Sequence, residues 1–73
     1  HKNIEITINA HGELFYNDIP LSSTQLHDKL TLLTPQDTLV IRSDKKANMQ
    51  SFVTVMDTAK ELGLSKIALE TLK

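Results

Sequence analysis

The fold is decided by Thr38-Leu39-Val40-Ile41-Arg42-Ser43-Asp44-Lys45, an amphipathic run over residues 48–62, Gly63, and then Lys66-Ile67-Ala68-Leu69-Glu70-Thr71. Residues 38–42 are apolar at three consecutive positions, which is typical of a strand in the middle of a sheet. A helix between two such strands is the crossover of a parallel βαβ unit. We therefore expect the last strand of the chain to lie beside the strand at residues 38–42 and parallel to it. It should form an edge of the sheet.

The first part of the chain predicts a hairpin. Isoleucine alternates with polar residues from position 4 to position 8, which predicts a half-buried strand. Gly12 is suited to the positive φ of a turn, and residues 14–16 continue as a second strand. Residues 17 and 18 indicate another tight turn with a brief return at Ile19, which Pro20 is expected to end.

A first helix is predicted to begin at Ser22. Ser22 and Gln25 have the spacing of a capping box, in which each side chain bonds the other residue's amide. Leu26, Leu30 and Leu33 form an apolar stripe, and the proline that follows should stop the helix near Leu33.

The second helix is predicted to begin with Asn48 as its N-cap and to end before Gly63 in a left-handed conformation. Its predicted apolar face consists of Met49, Phe52, Val53, Met56, Ala59 and Leu62, widened by Val55. The predicted fold is therefore α+β in the order β-β-α-β-α-β. It is a mixed sheet of four to five strands with both helices on one face, and it contains the parallel βαβ unit.

Composition favours a single globular domain over residues 1–73. A core this small is marginal, so self-association as a homodimer would stabilise it.

Eight basic and nine acidic residues nearly cancel, so nothing predicts nucleic-acid binding. The absence of cysteine excludes disulfides and thiolate metal sites. No apolar run is long enough for a membrane span, and the abrupt start suggests a domain cut from a longer protein.

Candidate reactive groups are few, and no cofactor or enzyme activity is predicted. His1, His11 and His27 have no second ligand at metal spacing and are interpreted as solvated. Residues 43–46 follow the carboxyl end of a parallel strand, where ligands often bind. The alternative is a solvated loop whose turn is fixed by Asp44. Asp57 fits either a buried acid or a salt-bridged surface residue.

The ordered set of segments resembles the periplasmic domain of the ExbD/TolR family. The matching positions are Asp44 and Lys45 after a strand, Val55, Met56 and Asp57 within a helix, Gly63 at the helix end, and the closing strand. Two positions depart from the family pattern: Ser43 replaces a small apolar residue, and an aromatic residue common near Met49 is absent. The match covers nearly the whole chain, and residues 42–45 and 55–58 look closer to ExbD than to TolR.

The resemblance implies a role that the residues alone do not. It implies a single-pass inner-membrane protein of a Gram-negative bacterium, acting with ExbB on TonB to import iron-siderophores and vitamin B12. The TolR alternative acts with TolQ and TolA in outer-membrane integrity and cell division. In either case the family's proton-linked aspartate lies in a transmembrane helix outside this chain.

The predicted contact with a partner is the last strand. Its exposed edge would carry unpaired amides, and an extended peptide could add to it as a further strand. The residues assigned to this contact are Lys66, Ile67, Ala68, Leu69, Glu70 and Thr71.

Overall fold

A computed structural model describes residues 3–72 of the chain. Its elements are β1 (Asn3–Ile8), β2 (Leu14–Tyr16), β3 (Ile19–Leu21), α1 (Ser23–Leu30), β4 (Thr38–Asp44), α2 (Met49–Glu61) and β5 (Ile67–Leu72). The strands form one mixed sheet in the order β3-β2-β1-β4-β5. The β1–β4 and β4–β5 pairs are parallel and the other pairs antiparallel, which confirms the predicted α+β fold.

The core is a single layer between the sheet and the two helices. Ile4 of β1 lies beside Leu39 of β4, and Ile6 lies beside Ile41, so alternating residues of the two strands form one apolar surface. These four side chains are buried together with Leu26 and Leu30 of α1 and with Val55 and Ala59 of α2. No helix within residues 3–72 covers the opposite face of the sheet, which is why Val40 is only half-buried although its neighbours are fully buried.

Helix α1 begins as predicted and ends earlier. Both hydrogen bonds of the capping box between Ser22 and Gln25 are present. The helix ends at Leu30 and not near Leu33, because the chain tightens into turns in which the Leu33 amide bonds the Leu30 carbonyl. Leu33 is nevertheless buried, so all three leucines of the predicted apolar stripe lie in the core although the third follows the helix.

Pro20 does not end the return strand, contrary to the prediction. Asn17 and Asp18 both have positive φ and form the two-residue turn, so Tyr16 and Ile19 face each other as a hydrogen-bonded pair. The next pair, Phe15 and Pro20, then has its backbone groups directed apart. Proline is tolerated there because its missing N–H would point away from β2.

The βαβ unit differs from the prediction in two details. Strand β4 extends through Asp44, two residues beyond residue 42, because Ser43 and Asp44 still pair with β5. Helix α2 is turned so that Val55 lies at the centre of the buried face, whereas Met49 is 68% exposed and Val53 is 40% exposed. Strand β4 has a neighbour on each side, β1 and β5, as expected for an interior strand. The central strand of the five is β1 and not β4.

The end of α2 is fixed by Gly63. Gly63 has a φ of 75°, its amide bonds the Lys60 carbonyl, and the Leu64 amide bonds the Ala59 carbonyl. This pair of bonds is a Schellman motif, which reverses the chain toward β5 and buries Leu64. The predicted left-handed glycine is confirmed.

The first turn of α2 is tied to the β1–β2 turn. The Ser51 hydroxyl donates a hydrogen bond of 2.7 Å to the Gly12 carbonyl. Gly12 has a φ of 82°, and a Cβ at that position would lie 2.7 Å from Ser51 Oγ. The turn therefore needs glycine for its backbone and for this close approach.

We predict that Gly12→Ala destabilises the protein more than Gly63→Ala. The left-handed conformation costs an L-residue about 1–2 kcal/mol at either position. At Gly12 the hydrogen bond from Ser51 is also displaced, which adds about 1 kcal/mol. Urea denaturation of both variants measures the difference.

The control is the same change in a Ser51→Ala background. Without the hydroxyl there is no close contact, so the cost of Gly12→Ala should fall to that of Gly63→Ala, where the added Cβ meets nothing within 4 Å. An unchanged cost in this background would show that the Ser51 contact is not the cause.

Candidate functional site

The predicted contact strand lies at an edge of the sheet. Within residues 3–72, strand β5 pairs with β4 and has no strand on its other side. Ala68, Leu69, Glu70 and Thr71 are exposed, and Ile67 is half-buried. This open side is called the β5 edge below.

The hydrogen-bond pattern decides which residues of the β5 edge are available. The Leu39 amide donates to the Lys66 carbonyl at 2.9 Å, and Leu39 lies opposite Ile67. In a parallel ladder this places the backbone groups of residues 66, 68 and 70 toward β4. Ile67, Leu69 and Thr71 therefore direct their N–H and C=O groups outward.

An apolar cleft of about 200 Å³ borders the β5 edge on the helix side. It is lined at one side by Leu69 and Thr71 of β5 and at the other by Met49 and Phe52 of α2. Leu69 is 58% exposed. Its side chain and that of Met49 thus offer exposed apolar surface beside the outward backbone groups of β5. An added strand would find backbone partners and an apolar contact at one place.

The uncovered face of the sheet carries charge at the same edge. Arg42 lies between two acids, with Nε 3.2 Å from a carboxylate oxygen of Glu70 and Nη1 3.7 Å from one of Glu5. Nε makes no aligned hydrogen bond within residues 3–72, so the contact with Glu70 is ionic only. All three side chains are more than a third exposed, so the pairs are worth at most about 1 kcal/mol each.

The other edge of the sheet is poorly suited to strand addition. Ile19 and Leu21 of β3 direct their backbone groups to β2, so the outward position on β3 is Pro20, which has no N–H. A second apolar cleft of about 400 Å³ lies there between β3 and α1. Both edges thus border a cleft, and they differ in their outward backbone donors.

The structure places Asp44 and Lys45 at the end of β4. Asp44 Oδ1 accepts a hydrogen bond of 2.8 Å from the Lys46 amide, and the Asp44 carbonyl accepts one of 2.9 Å from the Ala47 amide. Asp44 therefore fixes the turn before α2, as one of the two interpretations predicted. Ser43, Asp44 and Lys45 also line the cleft beside the β5 edge.

The other family-motif residues have structural positions. Val55 is buried under the sheet, Met56 is half-buried beside the core, and Gly63 caps the helix. Asp57 is exposed and takes part in none of the ion pairs found within residues 3–72, so its predicted salt bridge is absent there.

No metal centre is evident in the part of the chain that the structure describes. Residues 3–72 contain no group of three His, Cys, Asp or Glu side chains placed to hold an ion. His11 and His27 are exposed, and His1 lies outside the described residues. None of the helices in residues 3–72 has both the length and the apolar character needed to cross a membrane.

The sequence indicated a possible ligand site at residues 43–46, three of which line the cleft, but it did not predict that Met49 would form part of its wall. Met49 has the helical spacing of a core residue, and it is exposed because it is the first residue of α2, beside the cleft at the β5 edge. The signal available in advance was the strand order: an edge strand has no neighbour to cover the apolar side chains at its outer side.

Comparison with known proteins gives a family match. The family described as "Biopolymer transport protein ExbD/TolR" matches residues 1–73. A "Putative biopolymer transport protein ExbD-like 2" of Helicobacter pylori is 27% identical over 66 residues, covering 90% of this chain and 50% of that protein. A "Biopolymer transport protein ExbD" of the same species is 24% identical over 70 residues, covering 96% and 54%. The chain thus spans about half the length of the curated relatives it matches.

Proline substitutions at neighbouring positions of β5 should destabilise the protein unequally, because alternate residues direct their backbone groups to β4 and outward. Leu69→Pro should remove an outward N–H and leave the β4–β5 ladder intact. Ala68→Pro should remove a ladder hydrogen bond and cost at least about 2 kcal/mol more. Urea denaturation compares the two, with Leu69→Ala to subtract the lost side chain. Equal losses would mean that the backbone directions are wrong.

Proposed function

Because the chain belongs to the ExbD/TolR family of biopolymer transport proteins, we propose that it is the periplasmic domain of an accessory subunit of an inner-membrane motor. In this proposal the full-length protein is anchored by one N-terminal helix and works with an ExbB-type membrane protein. The complex uses the proton gradient to energise a TonB-type protein for outer-membrane import of iron-siderophores and vitamin B12.

The ExbD side of the family is favoured over the TolR side. Two relatives from Helicobacter pylori carry the ExbD name. The TolR function, with TolQ and TolA in outer-membrane integrity and cell division, stays as the alternative because the family description covers both. The open edge of β5 and the cleft beside it offer a binding surface, which supports an accessory role.

We propose that the transducing partner contacts the β5 edge. The observation that carries this proposal is the coincidence of outward backbone groups at Ile67, Leu69 and Thr71 with the apolar cleft lined by Met49 and Phe52. An extended segment added there would gain main-chain hydrogen bonds from the strand and specificity from alternate side chains in the cleft. The β3 edge offers no outward N–H, so it is not proposed as the contact.

Titration with a periplasmic fragment of a TonB-type protein tests this contact. Amide chemical shifts should move at residues 66–71 and at the first turn of α2. Leu69→Pro should weaken binding by about tenfold, because it removes one main-chain hydrogen bond and one cleft side chain. Leu69→Ala should weaken it less.

The matched control is Ile19→Ala, which truncates a similarly exposed apolar residue at the opposite edge. It should leave the affinity unchanged. Shifts that spare both β5 and the β1–β2 hairpin would refute the edge contact. Shifts caused by a TolA-type fragment or by peptidoglycan, and not by the TonB-type fragment, would favour the TolR function.

A further inference from the structure

We propose that Met49 is a site of reversible oxidation, and that its sulfoxide weakens the binding of an extended partner at the β5 edge. The selectivity of the oxidation is argued from this chain's own residues. The effect on binding rests on the proposed function, because it requires the partner contact at β5.

The composition directs an oxidant to methionine. The chain contains two methionines and no cysteine. Thiolates, which react readily with oxidants, are therefore absent as competitors. A peroxide that reaches this protein should act on a thioether sulfur, and the accessibility of the two methionines decides which of them reacts first.

The two methionines differ in their surroundings. Met49 is the first residue of α2 and is 68% exposed. Met56 is half-buried and packs against the core. Because the oxidant approaches the sulfur from solvent, Met49 should react faster than Met56.

Hydrogen peroxide can supply the oxygen without any further reactant. A lone pair of Met49 Sδ attacks one peroxide oxygen, so that an S–O bond forms and the O–O bond breaks. The leaving hydroxide takes up the proton of the transferred oxygen and becomes water. Sulfur is oxidised by two electrons to the sulfoxide, and peroxide is reduced. A methionine sulfoxide reductase reverses the change with a dithiol as the reductant.

The fold should tolerate a sulfoxide at Met49. The residue lies in the first turn of α2, at the solvent-exposed end of the helix, so the added oxygen remains hydrated. At Met56 the same oxygen would enter a partly dehydrated position against the core, where a polar group without a hydrogen bond is costly. Oxidation at position 49 therefore changes the surface of the protein and not its stability.

The surface that changes is the cleft at the β5 edge. Met49 and Phe52 line one side of this cleft, and Leu69 and Thr71 line the other. Leucine at position 49 would offer similar apolar surface, but only the thioether becomes polar on contact with an oxidant. An apolar side chain of the partner in the cleft would then face a polar sulfoxide. The loss of that apolar contact should weaken binding by about tenfold.

Peptide mass mapping during treatment with dilute hydrogen peroxide tests the selectivity. In the folded protein, Met49 sulfoxide should accumulate at least about five times faster than Met56 sulfoxide, because it is more exposed. In concentrated urea the two rates should become equal. Equal rates in the folded protein, or faster oxidation of Met56, would overturn the proposal.

Urea denaturation tests whether the sulfoxide acts through the surface or through the fold. Met56→Leu leaves Met49 as the sole methionine, and its denaturation midpoint should be the same before and after oxidation. If Met56→Leu does not fold, the unsubstituted protein oxidised only at Met49 takes its place. A lower midpoint after oxidation of Met49 would show that the fold is affected, and would overturn the proposal.

Titration with the TonB-type fragment tests the effect on binding. Oxidised Met56→Leu should bind about tenfold more weakly than the reduced protein. Treatment with methionine sulfoxide reductases should restore the affinity. The matched control is Met49→Leu, which should keep its affinity after the same exposure to peroxide.

The outcomes separate this inference from the proposed function. Unchanged affinity after oxidation of Met49, with normal binding by the reduced protein, refutes the effect on binding and leaves the proposed function intact. Failure of the reduced protein to bind the fragment counts against the proposed partner contact and overturns the effect on binding with it. The peptide mapping decides the selectivity of oxidation in either case.

Discussion

The parallel pairing of β1 with β4 is the contact on which the rest of the structure depends. It joins segments more than 30 residues apart in sequence and aligns Ile4 with Leu39 and Ile6 with Ile41. Those aligned side chains form the apolar surface onto which both helices pack. The hairpin extends the sheet on one side of this pair, and β5 extends it on the other. Because both helices pack on the apolar surface that this pairing creates, the fold depends on it although closing so long a loop costs conformational entropy.

The elements that the sequence predicted well are those whose local pattern and tertiary role agree. The alternating isoleucines of β1, the capping box at Ser22 and the left-handed Gly63 each require one conformation for a local reason, and the fold uses that conformation. The predictions that were wrong concern residues whose conformation depends on the neighbouring strand. Pro20 stays in a strand because the register directs its nitrogen away from β2, and Ser43 and Asp44 stay in one because β5 continues beside them.

The candidate site was predictable in part for the same reason. The position of β5 at an edge follows from the order of elements and the hand of a parallel crossover, so the contact strand could be named in advance. The cleft beside it could not, since it depends on the rotation of α2 and on how far β4 and β5 extend. Met49 has the spacing of a core residue, and only its place at the start of α2, beside that cleft, leaves it exposed. The ion pairs of Arg42 with Glu5 and Glu70 could not be predicted either, because they depend on the register of β1, β4 and β5.

The position of Pro20 has a consequence for assembly. A sheet with two open edges can in principle grow without limit, as it does in fibrils. Here residues Ile19–Leu21 of the β3 edge present no outward N–H, whereas β5 directs N–H groups outward at alternate residues. A strand that adds to the sheet at β5 therefore lengthens it on that side, and the proline-bearing β3 lies at the other side. The missing N–H of one residue at the far edge thus disfavours continued growth of the sheet, so a binding surface at β5 does not by itself lead to polymerisation.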